Sequence, residues 1–193
     1  MPEPASGLRL FIAIDLPALV KDELEKLRVR MDGAVWVRRE AFHLTLRFLG
    51  DGIAPPRAEA VRAALEAVNV PPFTMELQGT GRFPLILKQP PRVLWVGVEA
   101  PPPLRALHAQ IETALASVGF PSDGEPFRPH VTLARLKGYR TAQEAPLWLR
   151  QKNHFASGPI AVREFHLMSS ERQPGGMRYR SLQVYPLKDA SAG

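Results

Sequence analysis

One pattern occurs twice in this chain: Phe42-His43-Leu44-Thr45-Leu46 and Pro129-His130-Val131-Thr132-Leu133. In a β-strand successive side chains point to opposite faces, so a histidine and a threonine two residues apart share a face. The intervening Leu44 and Leu46, or Val131 and Leu133, then point into a core. Each copy therefore presents an imidazole and a hydroxyl together on a rigid surface. The chain holds five His and six Thr, so the recurrence of the same His-apolar-Thr-apolar order constrains the fold more than any other feature.

The flanking sequence repeats as well. Phe11-Ile12-Ala13-Ile14-Asp15-Leu16-Pro17, a helix and then the His43 motif resembles Leu94-Trp95-Val96-Gly97-Val98-Glu99-Ala100-Pro101, a helix and then the His130 motif. A duplicated unit predicts an α+β fold of two lobes related by a pseudo-twofold axis. The motif strands would face each other across a central groove, with antiparallel sheets flanking it and helices outside. Residues 1–193 are expected to form a single bilobal domain built of two internally repeated lobes, a size suited to one domain.

Local patterning fills in the elements. Leu8–Asp15 reads as a strand and Pro17 opens a helix to about Met31, with Val20, Leu24, Leu27 and Met31 on one face. Val35–Val37 is a short strand, and Phe42–Leu49 carries the first motif. Pro55–Val68 and Pro101–Val118 read as helices, the second with Leu104, Leu107, Ile111, Leu115 and Val118 in register. Phe73–Phe83 and Arg92–Glu99 read as an antiparallel pair, Phe127–Leu136 carries the second motif, and Thr141–Arg150 is a short helix. Ile160–Ser170 and Met177–Leu187 are expected to close the chain as a hairpin around Pro174-Gly175-Gly176. The 20 Pro residues fall in short clusters that punctuate elements.

Two His and two Thr converging on one groove make an acid–base site. Imidazole serves as base when neutral and as acid when protonated near neutral pH. Threonine hydroxyls, with nearby Arg, donate to the oxygens of a phosphate and stabilise charge that builds in a pentacovalent transition state. Displacement at phosphorus needs proton removal on one side and proton delivery on the other, and two symmetry-related imidazoles supply both. The repeat itself does not say which imidazole is acid and which is base. His-x-Thr lacks the carboxylate and multiple-His set usual for catalytic zinc, so no metal is expected. No Gly-rich nucleotide loop and no Gly-x-Ser-x-Gly elbow occur.

The net charge of +6 and pI near 10.1 favour a polyanionic partner, nucleic acid first. Arg128, Arg172, Arg178 and Arg180 are candidates for a rim that tracks phosphates. With no Cys, no apolar run long enough to span a bilayer and no signal-peptide pattern at Met1–Gly7, a cytoplasmic protein without membrane attachment is expected.

The stretches Phe42–Gly50 and Phe127–Leu133 resemble the paired signatures of the two-histidine phosphoesterases. Within that superfamily the chain is similar to the RNA 2′,3′-cyclic phosphodiesterases, also called 2′-5′ RNA ligases. The resemblance implies hydrolysis of an RNA 2′,3′-cyclic phosphate, or of a small cyclic nucleotide, to a 2′-phosphomonoester, without metal or other cofactor. It implies His43 as proton donor and His130 as proton acceptor, with Thr45 and Thr132 on the phosphate. It also implies that Arg135, five residues after His130, helps hold the phosphate. Phe48, five after His43, is the matching position and a candidate to stack on a base. Strict alternation puts residue +5 on the face opposite the His, so either a bulge or the strand end must intervene. A monomer is expected. Two other functions remain open: a 2′-5′ RNA ligase joining tRNA halves through the same site, and a non-catalytic RNA- or nucleotide-binding module. His108 is expected to be structural, His154 lies in a polar loop, and His166 sits on a strand near Phe165 with no role assigned.

Overall fold

The computed structural model describes residues 7–122, 124–173 and 176–188. The chain runs β1 (Leu8–Asp15), α1 (Ala18–Glu25), β2 (Ala34–Trp36), a 3₁₀ turn (Arg39–Ala41), β3 (His43–Ile53), α2 (Pro55–Leu65), β4 (Phe73–Phe83), β5 (Val93–Glu99), α3 (Pro102–Ser117), β6 (His130–Leu136), α4 (Tyr139–Lys152), β7 (Ala156–Val162), β8 (Glu164–Gln173) and β9 (Gly176–Pro186). Every strand pairing among the described residues is antiparallel, and the nine strands form one sheet. This is the α+β class the repeat predicts. The two halves form one curled sheet, continuous where the motif strands meet.

The strand order is β7-β4-β5-β6-β3-β1-β8-β9, with β2 also paired to β6. The motif strands β6 and β3 are the middle pair. Each is flanked by the strand that opens its repeat, β5 beside β6 and β1 beside β3, and each repeat crosses from one to the other through a helix. The next strand is exchanged: β4, which follows the first motif, pairs with β5 of the second half. This exchange stitches the halves together.

The end of the chain corrects one expectation. Residues 156–173 form one extended run interrupted only at Arg163, but its two parts have different partners. β7 pairs with β4 and β8 pairs with β1 and β9. The expected final hairpin is therefore β8–β9, and residues 160–162 belong to a separate strand on the other half. Periodicity detects an extended run but not a change of neighbour along it. The sheet curls enough for one residue to bridge the two halves, and the Leu187 amide donates to the Arg163 carbonyl at 2.7 Å. The turn residues Pro174 and Gly175 lie outside the described residues.

The first helix is also shorter than its apolar spacing suggests. Leu27 and Met31 are buried as expected, but α1 stops at Glu25 and the chain tightens into i→i−3 bonds. The Leu27 carbonyl accepts a 2.9 Å bond from the Trp148 indole of α4, a tertiary bond that takes the chain out of helix there.

The core lies on one face of the sheet, under the helices. Leu104, Leu107, Ile111 and Leu115 of α3 are fully buried against Leu44, Val131, Leu133, Leu94 and Val96, and Val61 and Leu65 of α2 join them. Truncating one such Leu to Ala would cost about 2–5 kcal/mol. The residues alternating with these strand positions, His43, Thr45, His130 and Thr132, therefore fall on the opposite, helix-free face.

Candidate active site

The sole bridge between β3 and β6 is Leu44 to Val131, the central residues of the two motifs. In an antiparallel pair this register sets His43 across from Thr132 and Thr45 across from His130. The two imidazoles are then diagonal neighbours, on residues set on the order of 7–8 Å apart, a spacing that can bracket one phosphate. The four motif side chains expected to share a site are brought together by that single backbone register.

Each imidazole is held the same way. His43 Nδ1–H donates to the Ala41 carbonyl at 2.8 Å, and His130 Nδ1–H donates to the Arg128 carbonyl at 2.7 Å. A carbonyl only accepts, so Nδ1 keeps its hydrogen and Nε2 is the working atom of both rings. On the first half the Thr45 hydroxyl donates to His43 Nε2 at 3.1 Å.

Aromatic walls enclose both rings. Phe11 and the edge-on Tyr179 lie 4.9 and 5.1 Å from His43, ring centre to ring centre. The edge-on Phe83 and Trp95 lie 4.9 and 6.1 Å from His130. Burial pushes the pKa of His43 below its ordinary 6.5, opposed by its bond to Ala41 and by the Asp15 carboxylate across the strand pair. The Lys21 ammonium and the positive charge that His130 can carry lower it slightly further. Burial also lowers the pKa of His130, opposed by the bond to Arg128.

Two matching bulges resolve the parity problem at position +5. Opposite β1, Ala13 pairs with Thr45 and Ile12 with Arg47, which leaves Leu46 extra. Opposite β5, Trp95 pairs with Thr132 and Leu94 with Ala134, which leaves Leu133 extra. Both bulges follow the motif Thr directly and tuck one more residue into the core. Phe48 then pairs with Phe11, and Arg135 with Val93, on the same face as the histidines. Arg135 is exposed, and its charge reaches Tyr179, whose phenol pKa burial raises and Arg135 and Arg9 pull back down. Phe48 is exposed too, but the Arg9 guanidinium lies over its ring at 4.6 Å, so one face of the ring is already stacked. Arg9 is held in turn by Asp51 at 2.9 Å.

The sequence pattern does not reveal the walls, nor the glycines that make room for them. Gly81 pairs with Trp95, whose ring lies where a Gly81 Cβ would be, 2.0 Å from Cη2. Gly97 pairs with His130, and a Cβ there would meet the Gln78 carbonyl oxygen at 2.8 Å. A glycine inside a strand marks a close approach, and that is the one signal the sequence carried for this side of the site. Among the rim candidates, Arg178 and Arg180 line a cavity of about 170 Å³ beside Tyr179. His108 stacks on Phe127 at 3.9 Å and lies 3.8 Å from Glu112, away from the motifs. His166 pairs with Ala13 and is engaged by Ser181 and Glu164. Among the described residues no three His, Asp or Glu side chains cluster to hold a metal, and no helix is long and apolar enough to cross a membrane.

The central site is thus a pair of histidines, each with its motif threonine, on the helix-free face of an antiparallel sheet. The family model of the 2′-5′ RNA ligase superfamily matches residues 16–174, and the chain belongs to that superfamily. It is 37% identical over 158 residues to an RNA 2′,3′-cyclic phosphodiesterase of Aeropyrum pernix, covering 81% of this chain and 87% of the relative. A Thermotoga maritima protein of the same name is 36% identical over 180 residues, covering 91% and 93%. Among solved structures, Escherichia coli LigT complexed with 3′-AMP superposes with a TM-score of 0.73 at 28% identity, covering 94% of this chain and 99% of that one.

Proposed function

We propose that this chain is an RNA 2′,3′-cyclic phosphodiesterase that opens a terminal cyclic phosphate to a 2′-phosphomonoester. The observation that carries this reading is the Leu44–Val131 register, which makes two identically tethered imidazoles diagonal neighbours on one face of the sheet. The resemblance and the relatives' shared name supply the substrate class.

In this mechanism His130 Nε2 takes a proton from water as the oxygen attacks phosphorus in line with the P–O3′ bond. His43, protonated on Nε2, delivers its proton to O3′ as that bond breaks. The phosphate stays on O2′, and one water is consumed. Thr45 and Thr132 donate to the non-bridging oxygens, and Arg135 adds a positive charge on the same face. Phe48, layered with Arg9, offers a stacking surface for a base. No step needs a metal or a nucleotide cofactor. A monomeric, cytoplasmic enzyme made of one bilobal domain completes the reading, and light scattering tests the oligomeric state.

The experiment is digestion of an oligonucleotide ending in a 2′,3′-cyclic phosphate, with and without EDTA, read by phosphorus NMR. The expected product is the 2′-phosphate, with the rate unchanged by chelation. A 3′-phosphate as the main product would exchange the acid and base assignments of His43 and His130. Loss of activity on chelation would remove the metal-free mechanism. A 5′-hydroxyl RNA in place of water would give a 2′-5′ linkage through the same atoms, and incubation of two tRNA halves distinguishes this ligase reading from hydrolysis. Tight RNA binding without turnover would mark a non-catalytic module.

A further inference from the structure

A second cavity, of about 520 Å³, opens on the β4–β5 side of the site and plays no part in the chemistry above. Trp95 forms its inner wall, and the same indole flanks His130 at 6.1 Å. Trp95 is thus shared by the cavity and the surroundings of His130. Leu85 and Leu87 from the β4–β5 loop and Leu149 from α4 supply apolar lining, while Arg150 and His154 stand at the α4 end.

The loop is fixed by one side chain. Arg82 donates from Nε to the Pro84 carbonyl at 3.0 Å and from its guanidinium to the carbonyls of Ile86 and Gln89. One side chain thus ties the loop at three points. The result leaves Leu87 at 85% exposure and Leu85 at 46%. Exposing apolar surface this way costs about 25 cal/mol per Å² and contributes nothing to the core. This open depression, apolar with a cationic edge, offers a surface on which a flat apolar group can lie.

Resting on the RNA reading above, we infer that this cavity is a subsite for the nucleobase one step 5′ to the cyclic end. The chain of the substrate leaves the terminal ribose only in the 5′ direction. With the cyclic phosphate between the imidazoles, the Phe48–Arg9 stack on the β3–β1 side takes the terminal base. The Trp95 cavity on the opposite side takes the preceding base, and Arg150 meets the phosphate that joins the two nucleotides. A base presents two flat apolar faces and a polar edge, which match leucine walls and a cationic rim. Recognition by stacking and apolar contact tolerates any base.

The test is calorimetric titration with reaction products, which do not turn over. Adenosine 2′-phosphate is compared with the dinucleotide ApA carrying a terminal 2′-phosphate, and with a dinucleotide whose 5′ unit is abasic. The dinucleotide is expected to bind about tenfold more tightly than the mononucleotide, within the range of one stacked base. Leu87→Ser and Arg150→Ala, both at exposed positions outside the catalytic groups, should abolish most of that advantage and leave mononucleotide binding unchanged. Equal affinities in the unmodified protein, an advantage that survives in both variants, or an abasic unit that keeps the full advantage would overturn the inference. A persistent dinucleotide advantage in a protein that fails to hydrolyse cyclic ends would support the subsite and defeat the phosphodiesterase reading, so the two fail separately.

Discussion

Adding one methyl group, in Gly81→Ala, tests whether the Trp95 wall holds His130 in place. The new Cβ would sit 2.0 Å from Trp95 Cη2 and 2.1 Å from Cζ2, where ordinary contacts begin at 3.4 Å. These atoms belong to the rigid benzo ring and cannot swing aside alone, so the indole must retreat by about 1.4 Å. Its aromatic neighbours are Phe83 at 5.4 Å and His130 at 6.1 Å, and the displacement must be absorbed there or by the cavity. Overpacking of this kind costs about 1–3 kcal/mol. A catalytic group displaced by about 1 Å loses roughly 10²-fold in rate. Urea unfolding should therefore show a midpoint lowered with unchanged slope, and turnover of a cyclic mononucleotide should fall about 10²-fold. Trp95→Leu removes the clashing ring, so the double variant should be more stable than the two single effects sum to, a coupling that a double-mutant cycle reads. Full stability in Gly81→Ala would mean that the indole is not pressed against β4. Lost stability with an unchanged rate would mean that the wall does not position His130.

Further outcomes follow from the same geometry. Replacing His43 or His130 by Ala should lower the rate about 10²- to 10⁴-fold, and Thr45→Ala less, in single-turnover hydrolysis. Both imidazole pKa values are depressed by burial, so kcat/KM should form a bell centred on the acid side of 6.5; the bound phosphate's negative charge favours imidazolium, so the kcat bell should lie at higher pH. An optimum of kcat/KM well above pH 7 would contradict the burial argument. A folded pKa below the unfolded value means that stability is complete above pH 6.5 and is lost as pH falls through the depressed folded values; unfolding midpoints between pH 7.5 and 5 should show this, and His43→Gln should flatten the loss. Arg135→Ala should weaken phosphate binding about 10- to 100-fold and raise the Tyr179 pKa further, seen by ultraviolet titration of the phenols.

The residues alone show which motif side chains share a face. His-x-Thr on a strand must place both side chains on one face, because the pleat has a period of two, and the duplicated flanks required two such strands in equivalent settings. The buried faces of α2 and α3 were legible for the same reason, as 3.6-residue spacing. The remaining features depend on partners, not periods. The bulges at Leu46 and Leu133 exist because one extra residue fits the core opposite β1 and β5, and they turn Phe48 and Arg135 back toward the histidines. The change of neighbour at Arg163, the end of α1 at the Trp148 bond and the wall of Phe11, Tyr179, Phe83 and Trp95 also depend on residues distant in the chain. A local pattern fixes which way a side chain points, but the curl of the sheet fixes what it meets there.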